Sequence, residues 1–195
     1  MMYRFLVPLT ILLAAVVPAS AESPTNVVHK LIAAVRNADK SAVAALYAKL
    51  ADRPTDVSWL DSLLSSDDGD LISPTWCPDS KMDGDAAVVV VATLKKRGPL
   101  DIDPCYLVRQ NGKWLVLPKH TDIRVAQRSV SEVTMNSLES LKTWFTGREK
   151  QLYAELEAEA EQAKPPPRSA EEGRAVLAKV LSKRDPHGFP EPRRK

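Results

Sequence analysis

Three histidines, two cysteines and a short run of aspartates are the side chains here whose types could do chemistry. His29 sits between Val28 and Lys30. As a general base it needs a positioned partner and a pKa near the operating pH; the plainer alternative is a boundary histidine with one edge in water. His120, in Pro-Lys-His-Thr-Asp, has Asp122 two residues on to orient it, or else marks a surface loop. His187 falls in a Pro-rich tail. Cys77 and Cys105 form an isolated pair. In an oxidising compartment such a pair reads as one disulfide worth ~3 kcal/mol; otherwise the two are buried, inert thiols. Asp67, Asp68 and Asp70 lack the twelve-residue calcium-loop pattern and its closing glutamate, so they read as a solvated turn. A zinc site takes about four ligands at close spacing, and the linear sequence supplies no such set. No metal and no cofactor are expected. Gly-x-Ser-x-Gly, the phosphate-cradling Gly-x-x-x-x-Gly-Lys and His-Glu-x-x-His are all absent, and seven glycines leave little for ligand loops.

The elements that would carry these residues are legible from caps and period. Ser23-Pro24 starts a helix, with Val27, Val28, Leu31, Ile32 and Val35 on one stripe through about Asn37. Asp39 caps a second helix bearing Val43, Leu46, Tyr47 and Leu50, and a third is expected over 56–65. The period then shortens. A short edge or irregular strand is expected over 71–77 because of Pro74. A strand over 85–95, with valine at 88 to 91, is buried at least in part on both faces. Strands over 105–109 and 113–117 flank Asn111-Gly112, a strong hairpin signal. A long helix follows over 131–164. Pro165-Pro166-Pro167 breaks it, and Ser169 with Glu172 caps a last helix through Lys183. From Asp185 onward three prolines, a glycine and a basic end predict disorder.

The chain begins as an export signal would. Arg4 precedes an apolar run over 5–17, Pro18 breaks it, and Ala19-Ser20-Ala21 offers a small-x-small cleavage site. The 13-residue run is short of the ~20 apolar residues that span a bilayer. A periplasmic or secreted protein starting near Glu22 is expected, with no transmembrane anchor. It would carry 26 basic against 25 acidic side chains. That balance argues against a dedicated nucleic-acid binder.

Helices followed by a meander that ends in Leu-Val-Arg-Gln-Asn-Gly-Lys-Trp-Leu-Val resemble the NTF2-like (cystatin-like α+β roll) superfamily. The stretch from Ala33 to Tyr47, with its aspartate-capped second helix leading to an aromatic, is similar too. The resemblance covers about 24–123. It implies an α+β fold, a curved antiparallel sheet wrapped around helices, with a pocket at the open end. It also implies that acid/base groups or a lining would come from Tyr47, Trp59, Trp76 and Asp85. For the aromatic residues the alternative is core packing with a satisfied polar edge; for Asp85, beside Gly84, it is a turn.

The expected organisation is a signal peptide over 1–21, an α+β domain over 22–123, a long helical extension over 124–164, and a Pro-break, short helix and basic tail over 165–195. Leu138, Leu141, Phe145, Leu152 and Leu156 mark one face of the long helix, with Arg148 breaking the stripe. They could seat a second copy or a protein partner, or pack on the domain; residues 155–164 are expected to project. The resulting expectation is an exported, non-catalytic binding or scaffold protein. Its alternative is a small pocket enzyme or a carrier of an apolar small molecule, with Tyr47, Asp85 or His29 as polar groups.

Overall fold

The computed structural model describes residues 22–50, 73–95, 100–118, 122–162, 167 and 169–190. The expected signal peptide, the helix over 56–65, Trp59, the acidic turn and His120 lie outside them. The expected α+β class is borne out. Helix α1 spans Pro24–Arg36 and α2 spans Lys40–Leu46. Strands β1 (Thr75–Asp83), β2 (Ala86–Leu94), β3 (Leu100–Gln110) and β4 (Lys113–Val116) follow, then a 3-10 turn over Ile123–Ala126. Helices α3 (Glu132–Glu161) and α4 (Ala170–Arg184) complete the described fold.

Each helix begins where a side chain can take an unpaired backbone N–H. Ser23 Oγ accepts from Asn26, Asp39 from Ala42, Ser131 Oγ from Thr134 and Ser169 Oγ from Glu172. The sheet is a curved antiparallel meander in the order β1-β2-β3-β4. Asn111 and Gly112, at φ +51° and +78°, make its last turn. Strand β3 starts earlier than expected and runs through Pro104. Proline fits there because β4 pairs only with the stretch from Leu107 to Gln110. Strand β1 begins at Thr75 among the described residues and runs past the expected end at Cys77 to the Asp83-Gly84 turn.

Both faces of the sheet are covered. Along β2, Ala87 and Val89 face α1 and α2, together with Cys77, Cys105, Leu107 and Tyr47. Ala86, Val88, Val90, Ala92 and Leu94 face the other way, against α3 and α4. The alternation in β2 therefore reads as an unbroken apolar run because each face has its own helical layer.

The long helix does not present its stripe to a partner. Leu138, Leu141, Phe145, Leu152 and Leu156 are all buried in the chain's own core, joined by Val180 and Leu181 of α4. The stretch expected to project is held down as far as Glu159. Arg148 ties β1 to α3 through Asp79 (2.6 Å) and Glu155 (2.7 Å), and Arg184 of α4 reaches Glu155 (2.7 Å) and Glu159. The arginine that interrupts the stripe is the hub of this network. Hydrogen bonds from Arg148, then Arg184, hold the Glu155 carboxyl down at about 2. A depressed carboxyl stabilises the fold above its unfolded pKa and loses that contribution as pH falls through the folded value. Melting temperature should therefore drop between pH 4.5 and about 2, and Glu155→Gln should flatten that part of the profile.

The disorder expected from Asp185 is corrected for 185–190, which fold back along the outer edge of β1. Phe189 and Thr75 exchange both backbone hydrogen bonds, at 2.7 and 2.9 Å. Gly188 lies flat on the Trp76 ring, where a Cβ would come within 2.0 Å of ring atoms. Trp76 is 1% exposed and has no room to retreat. Gly188→Ala should cost about 1–3 kcal/mol by overpacking, read as a lower urea midpoint with an unchanged slope.

Candidate functional site

The sheet edge where α1, β1 and 185–190 meet gathers the chemistry-bearing residues. Two features of local sequence build it. Cys77 stands two residues after Thr75 on the edge strand, so its N–H points to the same outer side, and Pro78 follows in a register shift between Trp76 and Asp79. At the end of α4, Asp185 occupies the cap position, its own N–H bonded to the Leu181 carbonyl. Its carboxylate points inward. Oδ2 accepts from the Cys77 N–H at 2.7 Å and from His29 Nε2 at 2.9 Å, while Oδ1 accepts from the His187 N–H at 3.1 Å. Asp185 is 5% exposed, a burial that a carboxylate tolerates only when its lone pairs are this fully used. The ligating atoms of His29, Cys77 and Asp185 all lie within 4.8 Å of one another.

An aromatic and cationic rim closes the cluster. The rings of His187 and Phe189 stand edge-on to His29, at centroid distances of 6.3 and 6.0 Å. Arg36, from the last turn of α1, donates to the carbonyls of Ser73 (2.6 Å) and Phe189 (3.2 Å) and covers the Phe189 ring at 5.0 Å. Burial lowers the pKa of this guanidinium.

The other expected site residues are scattered. Tyr47 is buried on the α1 face, and burial, then Cys105, pushes its phenol up to about 12. Trp76 lies on the opposite face, its Nε1 donating to Ser182 Oγ at 3.1 Å. Tyr47 and Trp76 therefore cannot line one pocket. Asp85 is exposed beside the Gly84 turn, its carbonyl accepting from the Arg109 N–H. Asp122, the expected partner of His120, caps the 3-10 turn and pairs with Arg124 at 2.9 Å.

Both cysteines are free and buried, so the expected disulfide is not formed. Cys77 is on β1 and Cys105 on β3, with β2 between them. Two strand spacings separate their backbones by roughly 10 Å, against the ~4.4–6.8 Å that a disulfide bridges. Burial raises both thiols. It takes Cys105 to about 12, and Cys77 is raised further by neighbouring Asp185.

Sequence spacing hid this cluster, because 108 and 156 residues separate Asp185 from Cys77 and His29. The available signal was the run Asp-Pro-His-Gly-Phe directly after a capped helix, with a ligating, a close-approach and an aromatic residue within five positions. No described helix is long and apolar enough to cross a membrane. No family model, no curated protein and no solved structure matches this chain.

Proposed function

We propose that the chain is an exported, non-catalytic binding or scaffold protein on an NTF2-like domain, delivered across a membrane by residues 1–21 and starting near Glu22. One observation supports the non-catalytic reading: the residues that the resemblance would gather in a pocket are apart. Tyr47 is packed on the α1 face, Trp76 lies on the opposite face of the sheet, and Asp85 is exposed beside the Gly84 turn. The NTF2-like reading is supported by the order of the elements, two capped helices and then a meander closed by the Asn111-Gly112 hairpin.

Partner contact through α3 has to use side chains off its buried stripe, such as Val133, which is 76% exposed, because the inward stripe is spent on the core. The test is native mass spectrometry of the chain purified from the envelope fraction of its natural host. A mature chain beginning near Glu22, bare, self-associated or bound to another polypeptide, supports the proposal. A small molecule that is lost only on denaturation sinks it and favours the carrier.

A further inference from the structure

We infer that His29, Cys77 and Asp185 form a binding site for one divalent transition-metal ion of the zinc class, with His187 as the fourth ligand. The inference goes beyond the scaffold reading and does not depend on it. Geometry supports it first. Three donors of the types zinc takes, an imidazole nitrogen, a thiol sulfur and a carboxylate oxygen, converge within 4.8 Å from three separate elements. Bond lengths of about 2.0–2.3 Å place tetrahedral ligands roughly 3.3–3.8 Å apart, so the set closes on an ion with shifts of about 1 Å. Two imidazoles on one ion have centroids about 5–6 Å apart by the same bond lengths, and those of His29 and His187 stand at 6.3 Å.

The hydrogen-bond inventory is compatible with it. Both oxygens of Asp185 are engaged by His29 and by the N–H groups of Cys77 and His187. Those bonds account for the carboxylate without the thiol. The same N–H groups would remain as outer supports that fix the carboxylate for an ion, as ligating groups require.

Charge supports it as well. A thiolate and a carboxylate together cancel one dication, leaving a neutral centre in a buried place. The ion takes the place of the hydrogen bond between His29 Nε2 and Asp185 Oδ2, and Cys77 binds as thiolate, its proton passing to solvent. Four ligands from α1, β1 and the C-terminal segment would clamp 185–190 onto the sheet edge.

The test uses the tag-free chain, stripped with chelator and titrated separately with Zn²⁺ and Co²⁺. One equivalent of each ion should bind, and the cobalt form should show a thiolate-to-metal charge-transfer band with visible bands of tetrahedral intensity. Cys77→Ala and His29→Gln should each weaken Zn²⁺ binding by about 100-fold or more, and His187→Ala by about 10-fold, with circular dichroism confirming the fold. His187 is exposed, so its variant should fold even if the buried ones do not. No one-equivalent binding overturns the inference, as does a cobalt spectrum without the thiolate band. Affinity unchanged in folded Cys77→Ala and His29→Gln overturns it too, because the ion would then sit elsewhere.

Discussion

A chain ending at Thr146 should fail to fold, where a helix reserved for a partner would only have lost its dimer. The cut removes Leu152, Leu156, Val180 and Leu181, which are 0–6% exposed and fill the core beneath β2. Truncating one buried leucine to alanine costs about 2–5 kcal/mol, and a domain of this kind has about 5–15 kcal/mol in total. Four such side chains, at about 8–20 kcal/mol together, match or exceed that reserve before the ion network is counted. Arg148, Glu155 and Arg184 go with them, leaving Asp79 without its partner. The expected signs are lost near-UV circular dichroism and no cooperative urea transition. Leu156→Ala alone should shift the midpoint by the amount expected of one leucine. A truncated chain that unfolds cooperatively as a monomer would overturn this account and restore the helix as a docking surface.

Asp185→Ala carries the second large effect. The substitution leaves His29, only 13% exposed, without its acceptor and the Cys77 N–H buried and unpaired. Leaving a buried donor unpaired costs about 1–3 kcal/mol, and here two lose their acceptor at once. Asp185→Asn keeps the shape and one acceptor oxygen and should cost about 1–3 kcal/mol. Urea unfolding gives the magnitudes. The rate at which a thiol reagent reaches Cys77 gives the location, since that rate should rise when 185–190 lift off and stay low in Asp185→Asn. A change within about 0.5 kcal/mol for Asp185→Ala, the range of an ordinary surface substitution, would show that the segment is held by Phe189 and Arg36 alone.

Local chemistry was legible in the sequence, and long-range chemistry was not. The four caps, the Asn111-Gly112 turn and the doubly buried β2 each depend on residues a few positions apart, so pattern alone finds them. The end of α3 reads as projecting because its Ala/Glu-rich face has little to bury by itself. Its anchors, Arg184 and Leu181, arrive from the next helix. The segment 185–190 reads as loose for the opposite reason. Proline and glycine ordinarily mark loose chain, yet here Gly188 is required by contact with Trp76, 112 positions earlier in the sequence. His29 was visible as a candidate, but its partner could not be named until the fold brought Asp185 to it. Tyr47 and Trp76 looked like companions only because sequence does not say which face of a sheet a residue takes.

The closure of the sheet edge by residues 185–190 also sets a schedule. A polypeptide emerges from its N-terminus, whether from a ribosome or through a translocation channel. Helix α1 and strand β1 are thus delivered long before Asp185, which lies 156 residues after His29. During that interval the outer edge of β1 is an open template for stray strands, and the Cys77 thiol is within reach of oxidants. Both hazards end in one event, when Phe189 pairs with Thr75 and Asp185 engages His29. A chain stalled or nicked before residue 185 would keep an open edge and a reactive sulfur, marking itself as unfinished to any protease or thiol oxidant nearby.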